Sequence, residues 1–161
     1  MFWQSKEVKE NIKWVFILLL LYVIQILFSE IARIGNSKPD FLLVGLFFFA
    51  VNNSQTRATW AGFGLGLLED LFLAQMFGLM AFCKTLVGFL FWYLTPKKHN
   101  LLLYLVSFFL FSFFHFLIFD FVYLGNLSLD FWEIVVKHSI PNSLYSLLLV
   151  VIWILYKQVR K

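Results

Sequence analysis

Six apolar runs succeed one another along this sequence with only short polar joints between them, at about 14–29, 39–52, 58–74, 77–94, 101–124 and 140–156. About 20 apolar residues carry a helix across the hydrocarbon core of a bilayer, and fewer suffice where the bilayer thins. Composition closes off the alternative. With 61% hydrophobic and only 14% charged residues in a chain of 161, no soluble fold could hide the apolar surface. A secreted or cytosolic globular enzyme is thereby excluded. The expected architecture is one all-α integral membrane domain over 1–161 with six transmembrane helices.

A charged leader containing Lys6, Glu7, Lys9, Glu10 and Lys13 precedes the first run. That run is long, no small-x-small cleavage site follows it, and the rest of the chain is equally apolar, so it reads as an uncleaved span. The second run is short for a crossing and suits a helix shielded by its neighbours. Residues 130–138 are mixed and aromatic, and read as a short helix lying in the membrane interface.

Counting basic residues sets the orientation. With the N-terminus inside, the inner segments hold Lys6, Lys9, Lys13, Arg57, Lys97, Lys98, Lys157, Arg160 and Lys161, and the outer ones Arg33, Lys38 and Lys137. Nine against three favours both termini in the cytoplasm. The net charge of +4 thus follows topology and does not point to nucleic acid as a partner. One cysteine, Cys83, excludes a disulfide framework, and His99, His115 and His138 have no metal-ligand spacing. No metal and no cofactor is expected.

The third run carries the most information. Ala58, Gly62, Gly66 and Asp70 recur every four residues and share one helix face. Small residues at that spacing let a second helix approach closely, which in lipid replaces the hydrophobic drive. A carboxylate inside a span costs about 2.5–3.5 kcal/mol on insertion scales unless it meets a partner or water. If spans three and four form a hairpin centred near residue 77, Asp70 and Lys84 lie at equal depth. They are expected to form an intramembrane ion pair that fixes register, relays protons or marks a partner's docking point. Glu69, about 100° away on the helix, is the other acid that could serve Lys84. His115 and Asp120, five residues apart, do not share a face. Glu30 and Arg33 read as a surface pair and Cys83 as core filler. No nucleophile elbow, Walker or zincin motif is present, so no catalytic residue is assigned.

Several joints, taken in order, resemble a bacterial family of rod shape-determining membrane proteins, MreD. They are Pro39-Asp40-Phe41-Leu42-Leu43 at the start of the second span, then Arg57, then the glycine-spaced run from Gly62 through Gly66 to Asp70. Gly78-Leu79-Met80-Ala81-Phe82 with Gly88 follows, and Ile140-Pro141-Asn142-Ser143-Leu144-Tyr145 opens the last span. The resemblance covers about residues 14–161, while Lys84 and Glu69 are charges foreign to the family's pattern. It implies a fold similar to the six-helix substrate-binding subunits of energy-coupling-factor transporters, in the bacterial plasma membrane. It also implies a non-enzymatic scaffold of the cell-elongation machinery that makes peptidoglycan. Such a scaffold binds an MreC-like single-span protein and through it reaches MreB filaments, the RodA glycosyltransferase and its transpeptidase. Partner binding and helix packing would then fall to Pro39, Asp40, Arg57, Gly62, Gly66, Asp70, Pro141, Asn142 and Tyr145.

The competing expectation is a small-molecule-binding subunit of a membrane transporter. That class shows alanines four apart on its first span for docking to an energising module. Here the first span, Val15 to Tyr22, is bulky throughout.

Overall fold

A computed structural model describes residues 2–73, 76–95, 100–124 and 130–159. These residues are helical almost throughout: α1 (Phe2–Phe28), α2 (Phe41–Asn52), α3 (Gln55–Leu73), α4 (Leu79–Leu94), α5 (Leu101–Leu124), α6 (Phe131–Ile134) and α7 (Ile140–Val159). Lys97, Lys98, His99, Arg160 and Lys161, four of which enter the charge count, lie outside the described residues.

Local chemistry sets the helix ends. Pro39 precedes Asp40, whose extended backbone and side chain cap α2 by accepting the Leu43 N–H at 2.7 Å. At the other end Asn52 and Asn53 donate back to the carbonyls of Phe48 and Phe49. Gly78, at φ +95°, supplies the left-handed residue from which α4 starts.

Residues 130–138 do not form a separate interfacial helix. α6 continues through a π-helical turn, Val135–Ser139, into α7, giving one apolar helix over Phe131–Val159. Pro141 supplies the reason. It has no N–H for the carbonyl four residues back, and its ring crowds that carbonyl, so the ladder widens just before it. The Ile140 N–H accordingly reaches the carbonyl of Val135.

By length and composition three described helices can cross a membrane: Val8–Phe28, Leu101–Leu124 and Phe131–Val159. α2 and α4 are apolar but shorter. They occupy the middle of the bundle, where Leu42, Leu43, Leu46, Phe47, Val87 and Phe91 are buried. Phe47 packs edge-on against Phe91, Tyr104 and Phe108 at ring separations of 4.8, 4.6 and 5.0 Å. Outer faces of α1, α5 and α7 remain apolar and exposed, as a lipid-facing surface must be.

α3 and α4 form the tightest contact in the bundle. A Cβ on Gly62 would lie 2.2 Å from the Lys84 carbonyl oxygen, and one on Gly66 2.4 Å from the Ala81 Cα. From the α4 side, a Cβ on Gly88 would lie 2.6 Å from the Ala58 oxygen. The small-residue stripe is therefore spent on this intramolecular hairpin. Its facing residues are equidistant from a point near residue 73, not 77.

Candidate functional site

That shift of the hairpin centre decides where the charges go. Asp70 and Lys84 do not pair. Asp70 sits below the start of α4 and accepts the backbone N–H groups of Gly78, Met80 and Ala81 at 3.0, 3.0 and 2.9 Å. Its negative charge answers the positive end of the helix dipole and satisfies amides that have no partner within the helix.

Lys84 is fully buried and turns to the other side. Its Nζ lies 2.5 Å from Asp40 Oδ2 and 3.1 Å from Glu69 Oε2. The acid 100° from Asp70 is thus the one on α3 that reaches the lysine, because the two carboxylates serve different neighbours. His115 of α5, also fully buried, places Nε2 3.6 Å from the same Asp40 oxygen. α7 closes the group through Ser146, whose Oγ accepts the Asp40 N–H at 3.2 Å. Asp40, expected to open the second span and to serve partner binding or helix packing, is the common node of α2, α4, α5 and α7.

A second polar layer surrounds this cluster. The Asn142 Oδ1 accepts the Lys38 N–H at 3.0 Å, and the Tyr145 hydroxyl donates to the Ala32 carbonyl at 2.6 Å. Asp120 accepts from Ser139 at 3.0 Å, and Ser143 donates to the Ser139 carbonyl at 2.6 Å. Gln25 grips both sides of the α2 start, accepting from the Phe41 N–H and donating to the Pro39 carbonyl. Asn142 and Tyr145 thereby tie the last helix to the 29–40 connection, while Pro141 acts on the backbone. Arg57 is exposed on α3 and donates to Asn11 of α1 at 3.4 Å.

Two concavities flank these residues. A cavity of about 470 Å³ with mixed polar and apolar walls opens beside the cluster, with Asp40, Glu69, Asp120 and Asn142 on its walls and the more exposed Glu30, Arg33 and Lys38 also lining it. Lys38 and Arg33 both pair with Glu30, and the Lys38 hydrogen bond foremost holds the Glu30 carboxyl below its ordinary range. The other is an apolar groove of about 620 Å³ between α1 and α3, lined by Val15, Leu19, Trp60, Ala61, Gly64 and Leu68 among others.

Sequence spacing finds the glycine face and Asp70, and misses the joint role of Asp40, Glu69 and His115. One signal was present. Ser139, Asn142, Ser143 and Ser146 form a polar stripe at helical spacing on an otherwise apolar helix, and all four are buried. A buried polar stripe in a membrane helix requires a polar partner opposite it.

A family model described as rod shape-determining protein MreD matches residues 8–160. No curated protein and no solved structure matches the chain.

Proposed function

The chain belongs to the MreD family of rod shape-determining membrane proteins, and on that footing we propose that it is a non-enzymatic scaffold whose apolar α1–α3 groove seats the membrane helix of an MreC-like single-span partner. Membership carries the role in rod-shape determination. The partner, and through it MreB filaments, RodA and its transpeptidase, are the finer part of the proposal. So are a plasma-membrane location, six crossings with both termini in the cytoplasm, and a likeness to energy-coupling-factor substrate-binding subunits.

The observation that carries the choice of surface is the contrast between two glycines one helical half-turn apart. Gly66 is filled by the α4 backbone, whereas a Cβ on Gly64 would meet nothing within 4 Å. Gly64 lies in the groove with Ala61 beside it, leaving a shallow place between the bulky walls of Trp60, Val15 and Leu19. A small residue held open on a membrane helix lets a second helix come close, and van der Waals packing is what associates helices in lipid. From Thr56 to Leu68 the groove follows α3 for roughly 18 Å at 1.5 Å per residue, over half a bilayer core.

Co-expression of the chain with an MreC-like single-span protein, followed by affinity capture, tests this. Gly64→Leu should lower recovery of the partner about tenfold while the chain's own membrane level stays the same. Unchanged recovery would remove the groove from the interface.

A further inference from the structure

The cavity beside the ion cluster has more buried acids in its walls than buried lysines or arginines to answer them. Asp40, Glu69 and Asp120 all line it, each no more than 5% exposed, and the one buried ammonium among the described residues is Lys84. Asp40 is satisfied, with one oxygen on the Leu43 N–H and the other on Lys84. Glu69 has only a share in that same lysine, and Asp120 has no cation among the described residues. Glu69 Oε2 has Lys84 at 3.1 Å but no hydrogen bond of good geometry, and it is 97% buried by the same measure. Asp120 accepts one hydrogen bond, from Ser139, and no cationic side chain among the described residues lies within ion-pair distance of it.

Carboxylates at this depth are expensive unless they bind a proton or meet a positive charge, and a ligand from outside the chain can supply that charge. A metal ion is a poor fit, because no three His, Cys, Asp or Glu among the described residues converge closely enough to hold one. An organic cation fits better. The cavity has the volume of a small-molecule site, and Tyr22, Phe116, Phe119 and Tyr123 give it aromatic walls suited to an ammonium and its carbon body. Among its more exposed lining residues Arg33 and Lys38 outnumber Glu30, so a negative group at the ligand's other end is also accommodated.

We propose that this cavity binds a ligand bearing a primary ammonium, with Glu69 and Asp120 as its counter-charges. Such a group could arrive dissolved in water or as the ethanolamine head of a phospholipid. The site shares no lining residue with the α1–α3 groove, so it stands or falls apart from partner docking.

The test uses the full chain in nanodiscs of phosphatidylglycerol, which carries no ammonium. Ethanolamine phosphate and phosphatidylethanolamine are added separately, and retention is read by native mass spectrometry. Retention of the soluble probe alone identifies a water-borne ligand, and retention of the lipid alone a head-group site; either supports the proposal. Asp120→Asn with Glu69→Gln should weaken retention roughly ten- to hundredfold, the range for a charge-assisted contact. In the unmutated chain, the retained probe should also slow labelling of Glu69 and Asp120 by a membrane-permeant carbodiimide, a readout independent of whether the variant folds. Retention of neither probe, equal retention by the double variant, or unslowed labelling overturns the proposal.

Discussion

Lys84 Nζ lies 2.5 Å from Asp40 Oδ2, although the two residues are 44 positions apart, one within α4 and the other capping α2. Together with Glu69 they bring α2, α3 and α4 to one buried point, and His115 and Ser146 add α5 and α7. A buried ion group of this kind is weak evidence of stability gained over an apolar core, but removing one member strands the others.

Lys84→Met should therefore destabilise the chain by about 3–5 kcal/mol, because Asp40 and Glu69 are left buried without their cation. Adding Asp40→Asn and Glu69→Gln should return much of that loss, since Asn still caps α2. Denaturant titration of the three proteins in one detergent measures both effects. A Lys84→Met protein as stable as the parent would show that the cluster is not desolvated.

Asp70→Asn acts elsewhere. It removes the charge at the start of α4 and turns one acceptor oxygen into a donor facing amide groups, which should cost about 1–2 kcal/mol. Hydrogen exchange should rise at the amides of Gly78, Met80 and Ala81, the three groups it now accepts. Combined with Lys84→Met the two losses should nearly add, whereas a directly paired Asp70 and Lys84 would give strong coupling.

Gly66→Leu and Gly64→Leu should part company in stability as well as in partner binding. Leucine at 66 has to displace the Ala81 and Met80 backbone, so the α3–α4 hairpin opens and the folded fraction falls sharply. At 64 nothing stands in the way. Limited proteolysis in detergent separates them: rapid cleavage is expected for Gly66→Leu alone.

The crossing number is open to direct labelling, because Cys83 is buried and leaves a silent background. Asn36→Cys and Ser54→Cys occupy exposed positions on successive connections. With α2 crossing the bilayer and the N-terminus inside, a membrane-impermeant maleimide should label position 36 in intact cells whose outer barrier is permeable to it. Position 54 should react only after lysis. Labelling of both from one side would remove α2 as a crossing.

Much of this architecture was legible because lipid imposes simple rules. Apolar runs placed α2, α3, α4, α5 and α7 within a few residues, and the small-residue period identified the face that α4 covers. The ion cluster was not legible for a geometric reason. Depth across a hairpin depends on where the turn is centred, and a shift from residue 77 to near 73 moves Lys84 from opposite Asp70 to opposite Gly62. Asp40 was hidden differently. Its local role as a cap accounts for one oxygen, and nothing local announces that the other belongs to a lysine 44 residues on. The π turn before Pro141 likewise joins what composition alone divides into an interfacial piece and a span.

Synthesis runs from the N-terminus, so the order of these charges along the chain is also an order in time. Asp40 leaves the ribosome 44 residues before Lys84, a delay of about 2–9 s at typical elongation rates of roughly 5–20 residues per second. Throughout that interval α2 has its carboxylate but not its counter-ion, and Ser146, made later still, has yet to take the Asp40 N–H. The second helix cannot settle into its final depth when it is born. It waits for the fourth to deliver the lysine and for α7 to close the ring, so the short central helix completes its assembly only after α7 has been made.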